Sequence, residues 1–234
     1  LGGWRAQRFG WPAPFYAGAV LAAVGLACMA GVPEESRAEA PASITLRHVL
    51  RLARVRPLFA ASVIAALGQF AYHVTVQGFT PIYAVQLGAS QGTLGVLAMV
   101  SLIPSTFAPI LGETPLVRRL RERWIVPLGY LLTAGTTFAI PFIPTLPLLM
   151  VSQALGGLGR GLIFPILMSR SIQAVAPTQR ATAMGFFQAT YALGMTAGPW
   201  MGGLLGAWLG LEGIFVVTAV LTVFAACLAF LLLR

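Results

Sequence analysis

Residues 194–203 read GMTAGPWMGG and lie within an apolar stretch that is long enough to cross a membrane. Gly194, Gly198 and Gly202 are four residues apart, which places them on one face of a helix. Small residues at this spacing allow a neighbouring membrane helix to approach closely. Pro199 lacks a backbone donor and favours a bend. The string therefore predicts a bent membrane helix that packs tightly against a partner helix.

The same segment belongs to an internal repeat, in which residues 1–30 match residues 201–230 without a gap. Leu1-Gly2-Gly3 aligns with Met201-Gly202-Gly203, Gly10 with Gly210, and Phe15 with Phe215. Internal repeats are typical of membrane transporters. The repeat predicts two similar membrane hairpins, and we expect the chain to be the later part of a longer, duplicated protein.

The composition points to lipid as the surroundings of this chain. Hydrophobic residues make up 58% of the sequence and charged residues 9%, whereas a soluble domain carries about 25% charged residues. The net charge of +9 comes from 15 basic residues, all of them arginine. They gather at the ends of apolar stretches, which indicates a membrane topology signal and no nucleic-acid partner. Cys28 and Cys227 lie within apolar stretches, and we expect them to be small core residues.

Seven apolar stretches are long enough to span a bilayer, which takes about 20 residues as a helix. They cover residues 11–32, 57–85, 91–112, 124–143, 146–170, 181–207 and 211–233. The sequence therefore predicts an all-α membrane protein, a polytopic helical bundle with about seven transmembrane helices.

Most arginines fall in connections on one side of this predicted bundle. These connections are residues 33–56, 118–123 and 170–180, and Arg234 ends the chain. Because basic loops stay inside the cell, we expect a multi-pass protein of the plasma membrane with residues 33–56 and the C-terminus in the cytoplasm. Residues 44–56 have arginines at helical spacing and predict an amphipathic helix, either on the inner leaflet or as a solvated linker.

The string GMTAGPWMGG, together with Gly161, Pro165 and the sequence APTQR at 176–180, closely resembles the glycine-proline motif region of the major facilitator superfamily. The resemblance implies the end of an N-terminal half in 1–32 (the tail of helix five and helix six). It implies a central cytoplasmic loop in 33–56 and a six-helix C-terminal half, helices seven to twelve, in 57–234. It also implies two partners besides a small-molecule substrate, namely the lipid bilayer and the remainder of the N-terminal half. One family feature fits poorly, because the basic cluster near 118–123 has Glu113 nearby and no aspartate.

Polar side chains inside the apolar stretches are candidates for a substrate cavity, because polar groups in lipid usually face a cavity or a partner. The candidates are Gln69, Tyr72, His73, Gln77, Gln153, Arg160, Gln188 and Tyr191. His73 could bind substrate or couple transport to protons, and the alternative is hydrogen bonding between helices. Arg160 could pair with an anionic substrate or with a carboxylate, which would have to come from the missing half because no acid lies deep in any apolar stretch. The alternative is an arginine that reaches the lipid headgroups from near a helix end. Gly194, Gly198, Pro199, Gly202 and Gly203 are expected to form a packing and gating motif.

We therefore expect a secondary transporter that moves a small solute by alternating access, with proton-coupled efflux as the leading hypothesis and no cofactor apart from possible coupling to protons. Uptake of a small organic anion is the alternative within this class. A seven-helix receptor or retinal protein is the alternative from another class, although the lysine needed for a retinal Schiff base is missing from the sequence. An enzyme is not expected, since no nucleophile with its base and no cluster of metal ligands is visible.

Overall fold

The computed structural model describes residues 12–30, 49, 51–112 and 122–233, and these residues form helices and turns without a strand. The helices are α1 (Ala13–Ala30), α2 (Arg56–Gln86), α3 (Gln91–Gly112), α4 (Glu122–Ala139, continued by a 3-10 turn at Ile140–Phe142), α5 (Leu146–Gln173), and a last stretch, Arg180–Leu232, that Gly210 divides into α6 (180–209) and α7 (211–232). The all-α fold predicted from the sequence is confirmed.

Five helical stretches in the described part of the chain are long and apolar enough to cross a membrane. The fifth, Pro177–Leu232, contains both α6 and α7, and in α1 the apolar helix Phe15–Ala30 is shorter than the others. The seven predicted stretches therefore correspond closely to the seven helices.

Gly210 makes the turn between α6 and α7. Its backbone has φ 71° and ψ 179°, a conformation that only glycine adopts readily. One residue thus reverses the chain direction, and no separate loop is needed between the two helices.

Helix α2 changes its hydrogen-bond pattern halfway along. Residues His73–Phe79 form a π-helical turn, in which the Thr80 N–H donates to the Thr75 carbonyl five residues back. Pro81 follows and has no N–H to donate, so the Gln77 carbonyl cannot accept its usual α-helical hydrogen bond. Such turns insert one extra residue and are frequent near functional sites.

Two apolar clusters hold the opposite ends of the helices together. At one end, which we call the basic end, the clustered side chains include Leu58, Val126, Val175, Ala183 and Leu233. At the far end they include Ala84, Leu97, Ile140, Leu149 and Phe215. Because each cluster combines the start of some helices with the end of others, sequential helices run antiparallel. Arg56, Arg170 and Arg180 all lie at the basic end.

Much of the apolar surface is exposed, as expected of helices that face lipid. In α1, Phe15 and Leu21 are 75% and 72% exposed, and Trp208 of α6 is 87% exposed. Cys28 and Cys227 are also exposed, so the expectation that both are core residues is wrong.

Several sequence predictions fall outside the described residues. These are the opening of the first repeat (1–11), most of the 33–56 connection, Glu113 with Arg118, Arg119 and Arg121, and Arg234. The division into 1–32, 33–56 and 57–234 also stays a prediction.

Candidate functional site

A cavity of about 340 Å³ opens inside the bundle between α2, α3, α4 and α5. Its wall is mostly apolar, with a few polar groups, as in many small-molecule sites. The lining residues are Ala65, Gly68, Gln69, Ala71 and Tyr72 of α2, Ser105, Thr106 and Pro109 of α3, Tyr130 and Thr133 of α4, Arg160, Gly161, Ile163, Phe164, Pro165 and Leu167 of α5, and Thr222 of α7.

Arg160 supplies the positive charge in this wall. Its Nη2 donates a hydrogen bond to Ser101 Oγ at 2.6 Å, and its Cζ lies 5.4 Å from the centre of the Tyr72 ring. A cation over an aromatic face at this distance is attracted by the ring. The guanidinium is thus fixed from two neighbouring helices, α3 and α2.

The position of Arg160 along α5 argues against the interpretation that its side chain reaches the lipid headgroups. It lies near the middle of Leu146–Gln173, about 20 Å from either helix end at 1.5 Å per residue. An arginine side chain cannot bridge that distance to the headgroups. The charge is therefore accommodated by the contacts with Ser101 and Tyr72 and by the position of the guanidinium in the cavity wall.

The contacts described for Arg160, with Ser101 and Tyr72, include no carboxylate. The acidic residues in the described ranges are Glu122, at the start of α4, and Glu212, which is exposed at the start of α7. Both are near helix ends, whereas Arg160 is central. The guanidinium therefore faces the cavity without an acidic partner from this part of the chain.

Tyr130 closes one side of the cavity and joins α4 to α2. Its buried hydroxyl donates to the Ile64 carbonyl at 2.7 Å. A Cβ at Gly68 would lie 2.5 Å from this hydroxyl, so a glycine is needed where the ring crosses α2. The contact fixes the spacing of two helices that line the cavity.

The structure brings three of the eight predicted cavity residues together: Gln69, Tyr72 and Arg160 line the cavity. His73 lies beside it, and its Nδ1–H donates to the Gln69 carbonyl at 2.9 Å. Because a carbonyl only accepts, this bond places the proton of the neutral ring on Nδ1.

The other four predicted residues lie elsewhere. Gln77 and Gln188 are exposed on the bundle surface. Gln153 is 4% exposed, with no hydrogen-bond partner for its Oε1 among the described residues. Tyr191 packs against the rings of Phe164 and Phe187.

The glycine string of α6 lies against α2. A Cβ at Gly194 would collide with the Ala66 carbonyl oxygen, and one at Gly198 would lie 3.0 Å from the Phe70 carbonyl oxygen. At Gly202 a Cβ would meet the Phe79 ring at 2.8 Å. The three glycines therefore let the two helix backbones approach closely. Gly203 has open space around its Cβ position, and Pro199 is exposed.

Sequence reasoning missed the hydroxyl groups of the site. Ser101, Ser105, Thr106, Tyr130 and Thr133 were not among the candidates. Small hydroxyls are common in membrane helices because they can bond a carbonyl of their own helix, as Thr133 does with Gly129 at 2.9 Å. Tyr130 was the one available signal, since a phenol hydroxyl within an apolar stretch needs a partner.

Comparison with known proteins adds an independent line of evidence. The family model described as Major Facilitator Superfamily matches residues 67–234. The chain is 30% identical over 226 residues to the uncharacterized MFS-type transporter YceJ of Bacillus subtilis (strain 168), a match that covers 88% of this chain and 52% of YceJ. It is 25% identical over 125 residues to the quinolone resistance protein NorA of Staphylococcus aureus (strain MRSA252), covering 53% of this chain and 32% of NorA.

The described structure is an all-α polytopic bundle with an internal cavity. With the match over residues 67–234, the chain belongs to the Major Facilitator Superfamily, as the glycine-proline string predicted. The family is one of multi-pass membrane transporters, in agreement with the membrane-spanning helices of this chain. The chain spans about half the length of YceJ.

Proposed function

We propose that this protein exports a small solute in exchange for protons, by alternating access, and that the cavity around Arg160 is part of the solute site. The cavity is the observation that carries the proposal: it lies midway along α5 and presents Gln69, Tyr72 and Arg160 in an otherwise apolar wall. Pro109 and Pro165 also line it, and prolines within membrane helices suit segments that change shape.

The likeness to NorA supports export as the direction. NorA is described as a quinolone resistance protein, and a transporter that confers resistance must lower the drug concentration inside the cell. Export is therefore the direction that we propose for this protein.

Two exposed side chains support a larger solute path, completed by a segment outside this chain. Gln77 and Gln188 are polar yet exposed on apolar helices, and such groups are costly against lipid. A second protein surface or a water-filled cavity over them removes that cost. Since the chain spans about half of YceJ, we infer that a second helical half lies there.

His73 is the residue that we propose for coupling to protons. Its Nδ1 lies 2.9 Å from the Gln69 carbonyl oxygen, which leaves Nε2 as the ring nitrogen that we propose for proton exchange. Tyr72, its neighbour in sequence, touches both the His73 ring at 5.1 Å between ring centres and the Arg160 guanidinium. Two contacts, from His73 to Tyr72 and from Tyr72 to Arg160, therefore connect His73 with the cation of the cavity.

Flux measurements on the full-length protein in proteoliposomes test this function. A panel of labelled solutes is offered with the vesicle interior acidic, alkaline or at the outside pH. An antiporter accumulates solute when the interior is acidic, because protons leaving drive solute entry. Accumulation only with an alkaline interior would instead indicate proton symport and uptake, and no flux of any solute would reject the transport proposal.

A histidine variant tests the coupling step separately. We expect His73→Gln to abolish accumulation driven by the pH gradient while exchange of labelled for unlabelled solute continues. His48→Gln, at the other histidine of the chain, is the matched control and should retain gradient-driven accumulation. Full accumulation by His73→Gln would exclude His73 as the coupling residue.

A further inference from the structure

We infer that the cavity selects organic anions, specifically small solutes with one carboxylate on an apolar, preferably aromatic, body. This inference rests on the proposed function, because it names the solute class of the same site. It applies to either direction of transport.

The charge requirement follows from the surroundings of Arg160. A guanidinium has five N–H donors, and the described hydrogen bonds account for one of them, to Ser101 Oγ. An ion away from water is costly unless it is paired and hydrogen-bonded. The contacts described for Arg160 include no carboxylate, so its remaining donors are available to an anionic solute in the cavity.

The geometry of the guanidinium suits a carboxylate in particular. Its planar fork binds both carboxylate oxygens at once when its plane is fixed. Ser101 holds one edge, and the Tyr72 ring lies against the group with Cζ 5.4 Å from the ring centre. Gly156 leaves room beside Nη1, which a Cβ there would approach to 3.0 Å. The donor group is therefore oriented before a solute arrives.

The apolar requirement follows from the rest of the wall. Phe164 and Ile163 lie within one turn of Arg160 on α5, and Ala65 faces the cavity from α2. None of the lining side chains is acidic, so the described wall offers no partner for a cationic group. A solute with a carboxylate at one end and a hydrocarbon body at the other matches both parts.

Binding of a matched pair of probes to the purified full-length protein tests the inference. The probes are 2-naphthoate and its neutral analogue 2-naphthamide, measured by isothermal titration calorimetry. We expect the wild-type protein to bind naphthoate at least tenfold more tightly than naphthamide. The inference would be overturned by equal affinities for the two probes, by tighter binding of the amide, or by no naphthoate binding at millimolar concentration. This test uses the wild-type protein alone.

Substitutions test whether Arg160 is the residue responsible for the preference for naphthoate. We expect Arg160→Gln to lose the tenfold preference, Arg160→Lys to keep part of it, and Arg54→Gln, at an exposed arginine outside the helices, to keep all of it. A folded Arg160→Gln protein that retains the preference would overturn the assignment. Flux measurements distinguish the failure of the proposed function from the failure of this inference. If naphthoate binds but is not transported, the transport proposal is contradicted and the inference on anion selectivity stands. If neutral solutes are transported in preference to naphthoate, the anion selectivity is contradicted and the transport proposal stands.

Discussion

Gly194 and Gly203 belong to one short string of sequence, yet their surroundings differ completely. Gly194 faces the Ala66 carbonyl oxygen, a backbone atom that cannot rotate away, whereas the Cβ position of Gly203 is open. Close packing against α2 therefore requires glycine at position 194, whereas a side chain at position 203 would meet no neighbouring atom.

Single alanine substitutions should separate these two glycines. We expect Gly194→Ala to lower the stability of the protein by about 1–3 kcal/mol, because an overpacked side chain forces α2 and α6 apart. Gly203→Ala should be neutral or stabilising by up to about 1 kcal/mol, since alanine favours helix. Thermal unfolding of the detergent-purified protein measures both. Equal melting temperatures for the two variants would contradict the close contact at Ala66.

Tyr130 offers a second test at the level of one atom. Removing its hydroxyl in Tyr130→Phe leaves the ring in place and deprives the Ile64 carbonyl of its side-chain donor. Hydrogen bonds between membrane helices contribute about 0.6 kcal/mol on average, and we expect a loss of this order. Tyr16→Phe is the control, because Tyr16 is 72% exposed on α1. A loss as large for Tyr16→Phe would mean that the Tyr130 bond contributes nothing specific.

Arg160 could be found from the sequence because a charge in the middle of an apolar stretch is costly and must have a reason to be there. Gln77 and Gln188 are uncharged but polar residues within apolar stretches, and they lie outside the cavity that Gln69 and Tyr72 line. Spacing along a helix predicts which side chains share a face, but the rotation of that face depends on the neighbouring helices. The π turn at 73–79 adds a further rotation between Gln69 and Gln77.

At the scale of elements, hydropathy predicted the helices closely. The stretches 57–85 and 91–112 became Arg56–Gln86 and Gln91–Gly112, because the thickness of lipid dictates the length of an apolar helix. The π turn within α2 was not predicted, because hydropathy does not report which backbone groups are hydrogen-bonded to each other. The predicted stretches 181–207 and 211–233 leave residues 208–210 between them, but they do not predict a turn made by Gly210 alone.

The α6–α7 turn is open to a direct test. Alanine at position 210 must adopt φ near 71° with an extended ψ, a conformation that costs a residue with a side chain about 1–3 kcal/mol. We expect Gly210→Ala to lower the melting temperature accordingly. Gly185→Ala is the matched control, because that helical glycine has open space at its Cβ position. A control that melts as low as Gly210→Ala would show that the turn is not the cause.

At the scale of the whole molecule, the two end clusters predict which residues share a side of the membrane. Arg54 lies near the basic end and Ser90 at the far end, in the connection between α2 and α3. If the basic end is cytoplasmic, a membrane-impermeant maleimide should label Ser90→Cys in intact cells and Arg54→Cys only after permeabilisation. Cys28 and Cys227 are first replaced by serine. Labelling of Arg54→Cys in intact cells would reverse the orientation.

The connections at the far end have a practical consequence for handling the protein. Residues 87–90, 143–145 and Gly210 join their helices with almost no chain outside the bundle. Antibodies, proteases and inserted peptide tags all need several residues of accessible, deformable chain. These three connections therefore offer little accessible chain for an affinity reagent to bind, and an epitope inserted into one of them would lie directly beside the ends of two helices.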